Sequence, residues 1–149
     1  MTAIRRATLE DVNAVQALVR AAYAKWVPIV GREPLPMTAD YNHAVSAHII
    51  DMMIVSEKIV GLIELVPEPE CLLIENVAVL PAEWGNGYGH ALMAHAAEIA
   101  RSLNRKKVRL YTNKLMAENI ALYRKLGYVI DREERTPDGR DAVHMSLIL

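Results

Sequence analysis

The sequence predicts one domain of α/β (α+β) class, built on a mixed sheet with helices packed against it. Three observations carry that prediction. Short β-branched runs and amphipathic helical runs follow one another along the chain in the order β-α-α-β-β-β-α-β-α-β-β. The chain has 149 residues, 52% of them apolar and 23% charged, which is the size and composition of a globular domain with its own core. No internal repeat, low-complexity tract or linker divides residues 1–149.

Each element has its own local warrant. Ile4 to Ala7 reads as a short strand. Thr8 then N-caps a helix whose first turn carries Glu10 and Asp11, acids that the helix dipole favours, and whose apolar stripe is Val12, Val15, Val19 and Ala22. In "WVPIVGREPLPM", Pro28, Gly31, Pro34 and Pro36 argue against regular structure. A second, short helix is expected over Thr38 to His48. Asp51 to Ser56 and Lys58 to Val66 read as strands joined into a hairpin by a tight turn at Glu57–Lys58. After "PEPE", the run "CLLIENVAVL" is almost wholly apolar, as a central strand covered on both faces would be. A helix follows with Leu92, Ala96, Ile99 and Leu103 on one stripe. "KKVRLYTN" reads as a strand, "AENIALYRKL" as a helix ending at Gly127, and "YVIDREE" as a strand. Pro137–Asp138–Gly139 turns the chain into its last strand, "AVHMSLIL".

Charge and cysteine content remove several classes of function. With 17 basic and 18 acidic residues there is no general attraction to nucleic acid or to an anionic membrane. Cys71 is the single cysteine, so internal disulfides and multi-thiolate zinc sites are excluded. The histidine pairs His43/His48 and His90/His95 are each five apart, which separates the partners around a helix, and no metal site is expected. "MTAIRRATLEDV" lacks the apolar core of a signal peptide, and no run reaches transmembrane length; a cytoplasmic location is the expectation.

The informative stretch is "NVAVLPAEWGNGYGHALMAHAAEIAR". It places Gly85, Gly87 and Gly89 between a strand and a helix with almost no charge among them. Such a turn exposes backbone N–H groups at a helix N-terminus, and these hold a phosphate without a lysine. A tight turn needs one glycine, and three at alternate positions favour a backbone that faces a ligand. Two familiar phosphate loops fail. The P-loop ends Gly-Lys-Ser/Thr, whereas this one ends Gly89–His90–Ala91. The dinucleotide loop needs Gly-x-Gly-x-x-Gly and an acid about 20 residues on, at the tip of the next strand. Here the glycines run Gly-x-Gly-x-Gly, and that strand ends "YTN".

The stretch resembles the cofactor motif of the GNAT superfamily of N-acetyltransferases, Gln/Arg-x-x-Gly-x-Gly/Ala. Gly87 and Gly89 stand at the two small positions, and Trp84 stands where Gln or Arg is usual. "VAVLP" is similar to the family strand that splays from its neighbour. "ENIALYRKLGY" is similar to the signature N..A..LY.K.GF, with Tyr123, Lys125, Gly127 and Tyr128 in phase. The asparagine usually seven residues before the tyrosine is Met116 here, and Asn119 stands four before. The resemblance implies a GNAT-like, mostly antiparallel central sheet with helices on both faces and splayed central strands. It implies acetyl-CoA as co-substrate, its pantetheine arm along Val77, Ala78 and Val79 with a contact from Asn119. The pyrophosphate would lie in the turn formed by Trp84, Gly85, Asn86, Gly87, Tyr88, Gly89 and His90, and the sulfur beside Tyr123.

Function then divides into an enzyme and a binder. As an enzyme, the chain would move the acetyl group directly to a primary amine of a small molecule or peptide, in a ternary complex. The alternative is a non-catalytic acyl-CoA-binding or regulatory module. Glu75 lies in an apolar strand, where a carboxylate is costly unless paired or facing a cleft, so it is either the general base or half of a structural ion pair. By strict alternation it shares a pleat face with Leu73, Val77 and Val79, and Asn76 faces the other way. Tyr123 is either a half-buried core residue or, as the resemblance implies, the acid that protonates the departing thiolate. Trp26 and the Pro-rich segment form either an inert loop or the cover of the acceptor site, with Tyr23, Arg32, Asp40 and Tyr41 as candidate contacts. Asp40, Glu64 and Glu75 together suggest a cationic acceptor. A homodimer is an expectation of the resemblance alone.

Overall fold

The structure, a computed structural model, describes residues 2–149. A hairpin organises its first half. Strand β2 (Ile49–Val55) returns as β3 (Lys58–Pro67) through Ser56 and Glu57, whose left-handed φ values of 49° and 69° suit the twist of a two-residue hairpin. The turn thus lies one residue earlier than the sequence suggests, with Val55 opposite Lys58. Strand β1 (Thr2–Arg6) pairs with β2, and β4 (Leu72–Val79) with β3, all antiparallel. On the far side β5 (Lys107–Asn113) pairs antiparallel with β7 (Asp141–Ile148), and β6 (Val129–Arg135) forms the edge. The result is one seven-stranded, mostly antiparallel sheet of order β1-β2-β3-β4-β5-β7-β6.

Helices cover both faces. On one, α1 (Val12–Tyr23) and α4 (Tyr41–Ala47) press Val15, Val19 and Tyr41 against Ile50, Met52, Leu62 and Ala78. On the other, α5 (Tyr88–Ser102) and α6 (Ala117–Lys125) bring Leu92, Ala96 and Tyr123 onto Ile63, Ile74, Leu110 and Met145. Gly61 on β3 is required for that contact. A Cβ there would stand 2.9 Å from the Ala78 carbonyl oxygen and 3.2 Å from a Leu92 methyl. No helix among the described residues is long and apolar enough to cross a membrane.

The Pro-rich segment departs from expectation. It holds helical turns, α2 (Val27–Val30) and α3 (Leu35–Thr38), after a 3-10 turn at Ala24–Trp26. Pro28 and Pro36 sit in the first turn of their helices, where the missing N–H has no partner to lose, and Gly31 at φ 84° stops α2. Trp26 is buried, with 5% exposure.

Two irregularities of β4 shape the site. Its parallel pairing with β5 covers only Leu72–Val108, Leu73–Arg109 and Ile74–Leu110. Beyond that seam β4 stays with β3 as far as Val79, and β5 stays with β7 as far as Asn113, so the two strands part. The second irregularity is a bulge. Glu64 pairs with Asn76 but Leu65 pairs with Ile74, which leaves Glu75 as the extra residue. Strict alternation therefore fails: Ile74, Val77 and Val79 all pack on the α5 face, and Glu75 does not share their side.

Candidate active site

Helix α5 begins at the open mouth of the sheet, and no side chain among the described residues caps it. Gly87 is its N-cap at φ 80°, with no side-chain hydrogen bond, and the first intrahelical bond runs from the Ala91 N–H to the Gly87 carbonyl at 3.1 Å. The N–H groups of Tyr88, Gly89 and His90 therefore have no acceptor within the helix. Gly85 also has positive φ, 88°, and a Cβ at Gly85, Gly87 or Gly89 would meet nothing within 4 Å. The backbone here is bare and faces open space, as an anion-binding turn requires. Trp84 closes the turn by donating its indole N–H to the Val79 carbonyl at 2.8 Å.

A groove of about 650 Å³ runs from this turn between the end of α1, the free part of β4, and α6. All the residues that the sequence associates with the cofactor line it except Asn86, whose amide donates to the Glu83 carbonyl at 3.1 Å. Met116 and Asn119, the two positions compared for the family asparagine, divide: Asn119 lines this groove and Met116 does not.

A second cavity, of about 570 Å³, opens on the α1/α4 side of the parted strands. It is roofed by residues 34–41 and floored by β3, β4 and β5. Arg32 and Arg140 pin the roof to the β6–β7 turn. The Arg32 guanidinium donates to the Asp138 carbonyl at 2.8 Å, and that of Arg140 to the Glu33 carbonyl at 3.1 Å. Of the residues the sequence puts forward for the acceptor, Tyr23, Asp40 and Tyr41 line the cavity and Arg32 lies outside it. The Asp40 carboxylate caps α4, accepting from the Asn42 and His43 N–H groups.

Polar side chains of this cavity are hydrogen-bonded in three separate groups. Asn76 is buried and accepts from the Tyr23 hydroxyl at 2.8 Å, while its amide donates to the Tyr41 oxygen at 3.3 Å. The Tyr41 hydroxyl in turn donates to the Pro36 carbonyl at 2.6 Å. Glu64, 3% exposed, lies 2.6 Å from His48 Nδ1, and burial pushes its carboxyl above the usual carboxylate range. Glu75 accepts a bond from the Tyr111 hydroxyl at 2.9 Å. His48 and Tyr111 are members that the sequence did not reveal, and Asn76, which strict alternation turns away from Glu75, lines the cavity with it. For His48 the available signal was a carboxylate, Glu64, in the apolar run "KIVGLIELVP", which demands a partner.

Tyr123 stands where groove and cavity meet, and it lines both, as do Tyr23, Val77 and Asn119. Burial alone pushes its phenol up to about 12, with no hydrogen bond contributing. The hydroxyl therefore carries its proton throughout the neutral range and keeps it available to a ligand.

The matched family agrees with this architecture. Residues 15–128 match the model described as the acetyltransferase (GNAT) family, which spans most of the chain; the protein belongs to the GNAT acetyltransferase family. Among solved structures it is similar to the ribosomal-protein-S18-alanine N-acetyltransferase of Escherichia coli (TM-score 0.80, 22% identity, covering 99% of this chain and 94% of that one). It is also similar to the PaiA N-acetyltransferase of Thermoplasma acidophilum in complex with coenzyme A (TM-score 0.84, 15% identity, 100% and 99% covered). A third is a GNAT acetyltransferase of Elizabethkingia anophelis with acetyl-CoA bound (TM-score 0.73, 17% identity, 99% and 98% covered). At these identities the likeness is one of fold. No curated protein matches the sequence.

Proposed function

We propose that this protein transfers the acetyl group of acetyl-CoA directly to a primary amine, that of a cationic small molecule or of a peptide, within a ternary complex. One observation carries the reading: a bare-backbone anion turn and an acid-lined cavity open onto each other at Tyr123. Neighbours that hold CoA or acetyl-CoA support the co-substrate, and one that by its name acetylates an alanine of a ribosomal protein supports an amine acceptor.

Acetyl-CoA supplies an activated thioester. Tyr88, Gly89 and His90 offer backbone N–H groups to its pyrophosphate, and the β4 edge at Val77–Val79, unpaired towards β5, offers hydrogen bonds to its arm and to the thioester carbonyl. An alkyl amine with a pKa of about 10.4 is almost wholly protonated at pH 7. Glu75 takes that proton, directly or through water, so that the nitrogen lone pair attacks the acetyl carbon. As the C–S bond breaks, Tyr123 donates a hydrogen bond to the sulfur. A phenol at about 12 is a weaker acid than a thiol at about 8.5, so complete transfer from Tyr123 is uphill. Net protonation of the thiolate therefore draws on the proton that the amine released. Cys71 takes no part: burial and Glu68 raise its thiol, which opposes a covalent acetyl-enzyme.

Steady CoA release across a panel of amines and peptide N-termini tests the reading. Cationic amines should be the best acceptors, because Glu64 and Glu75 both face the cavity. A preference for anionic amines would reverse that inference. Binding of acetyl-CoA with no turnover on any amine would make the protein a regulatory binder instead.

A further inference from the structure

The Gly-rich turn leaves a charge question open. Residues 83–90 contain no lysine or arginine, and Trp84 occupies the position where a polar side chain would meet a diphosphate. Its one donor is already committed to the Val79 carbonyl, so Trp84 offers the groove a ring face and no hydrogen bond. The groove nevertheless contains a cation. Lys25, in the turn that follows α1, places Nζ 4.6 Å from the ring centroid of Trp26 and 5.0 Å from that of Trp84. The same Nζ lies 2.8 Å from Oε2 of Glu118, on the first turn of α6. All four residues line the groove.

We propose that Lys25 is the cation that receives the diphosphate of the acyl-CoA ligand, and that Glu118 occupies its ammonium until the ligand arrives. The proposal rests on the acetyl-CoA reading. Two indole rings attract the ammonium through their quadrupoles, which favours its place without neutralising it. Glu118 is the weak member of the set. Its side chain is 75% exposed, so its attraction to Lys25 is screened by solvent. A diphosphate carries more charge than one carboxylate and brings several acceptor oxygens, so it displaces Glu118. Glu83, the nearest acid of the turn, is directed elsewhere, 3.6 Å from the Lys58 ammonium. Trp84 thereby replaces a direct polar contact with an indirect one: it holds another residue's charge at the groove.

A purely structural Lys25–Glu118 bridge, tying α1 to α6, makes opposite demands on the two partners. Calorimetry with CoA and with S-acetylpantetheine, which has no phosphate, separates the readings. Lys25→Met should weaken CoA binding by about tenfold or more, near 1.4 kcal/mol, while Lys25→Arg keeps most of the affinity. Glu118→Gln should tighten CoA binding by roughly threefold, because the competing anion is gone. S-acetylpantetheine should bind the variants and the parent alike. Unchanged CoA affinity in a folded Lys25→Met protein overturns the proposal, as does an equal loss for both ligands or a Glu118→Gln protein that binds CoA more weakly. A parent protein that binds neither ligand overturns the acetyl-CoA reading itself.

Discussion

The Tyr111 hydroxyl donates to Glu75 Oε1 at 2.9 Å across the gap where β4 and β5 separate, joining residues 36 positions apart. The bond orients a carboxylate that belongs to neither ladder. If Glu75 is the base, Glu75→Gln should keep the contact with Tyr111 and the fold, yet lower kcat on the order of 10²-fold. Tyr111→Phe should cost less, within about tenfold, because it frees the carboxylate without removing it. Steady-state kinetics with one good amine decides the matter. Full activity in Glu75→Gln would return Glu75 to a structural role.

Tyr123→Phe keeps the ring and its contact with Tyr128, 6.2 Å between centroids, and removes only the donor. Stability and acetyl-CoA Kd should hold while kcat falls on the order of 10²-fold. A folded variant with undiminished kcat would leave water, or the proton released by the attacking amine, to serve the sulfur.

The cradle has a direct test in Gly87→Val. The substitution forces a β-branched residue into φ 80° and fills space where a Cβ now meets nothing within 4 Å. Affinity for acetyl-CoA should fall by about tenfold or more while the fold survives, read by titration calorimetry. Affinity equal to that of the parent would remove the turn from the binding site.

Acid should loosen the start of β5. Arg109 holds Glu68 through two bonds, of 2.6 and 2.7 Å, and this lowers the Glu68 carboxyl from 4.5 to about 2. A depressed carboxylate contributes stability that is fully present above 4.5 and is lost as pH falls towards 2. Both side chains are partly exposed, so the contribution is on the order of 1 kcal/mol. Urea unfolding from pH 6 to pH 2 should show a shallower acid loss in Glu68→Gln than in the parent, and identical slopes would refute the assignment.

Tyr128 carries a buried hydroxyl with no hydrogen-bond partner among the described residues. Tyr128→Phe should therefore raise stability by about 1 kcal/mol, since it removes a desolvated polar atom and no contact. A lower urea midpoint would show instead that the hydroxyl is satisfied by ordered water.

Legibility in the sequence followed the range of the interactions. The turn at Gly85–Gly89 was readable because left-handed backbone, here at Gly85 and Gly87, leaves glycines in the chain. The hairpin and the α5 stripe were readable because their periodicity is local. The β4 bulge was hidden: one extra residue at Glu75 reverses the faces beyond it, and alternation has no way to mark the slip. α2 and α3 were missed because proline counts as a breaker, although it is tolerated in a first helical turn. The His48–Glu64 pair spans 16 residues and the Lys25–Glu118 pair spans 93, and both exist only once the sheet is assembled.

The short seam between β4 and β5 also divides the molecule mechanically. Three residue pairs join an antiparallel plate of four strands to another of three, and past Ile74 and Leu110 each plate ends in a free rim. Along the β4 rim, where a sheet interior would give a strand neighbour, side chains meet two of the carbonyls: the Tyr23 hydroxyl that of Val77 at 3.1 Å and the Trp84 indole that of Val79 at 2.8 Å. Anything extended and polar that lies in the gap acts as a replacement strand and stitches the plates together. Amide exchange on the rims is thus coupled to occupancy of the gap, while exchange deep in either plate follows global unfolding.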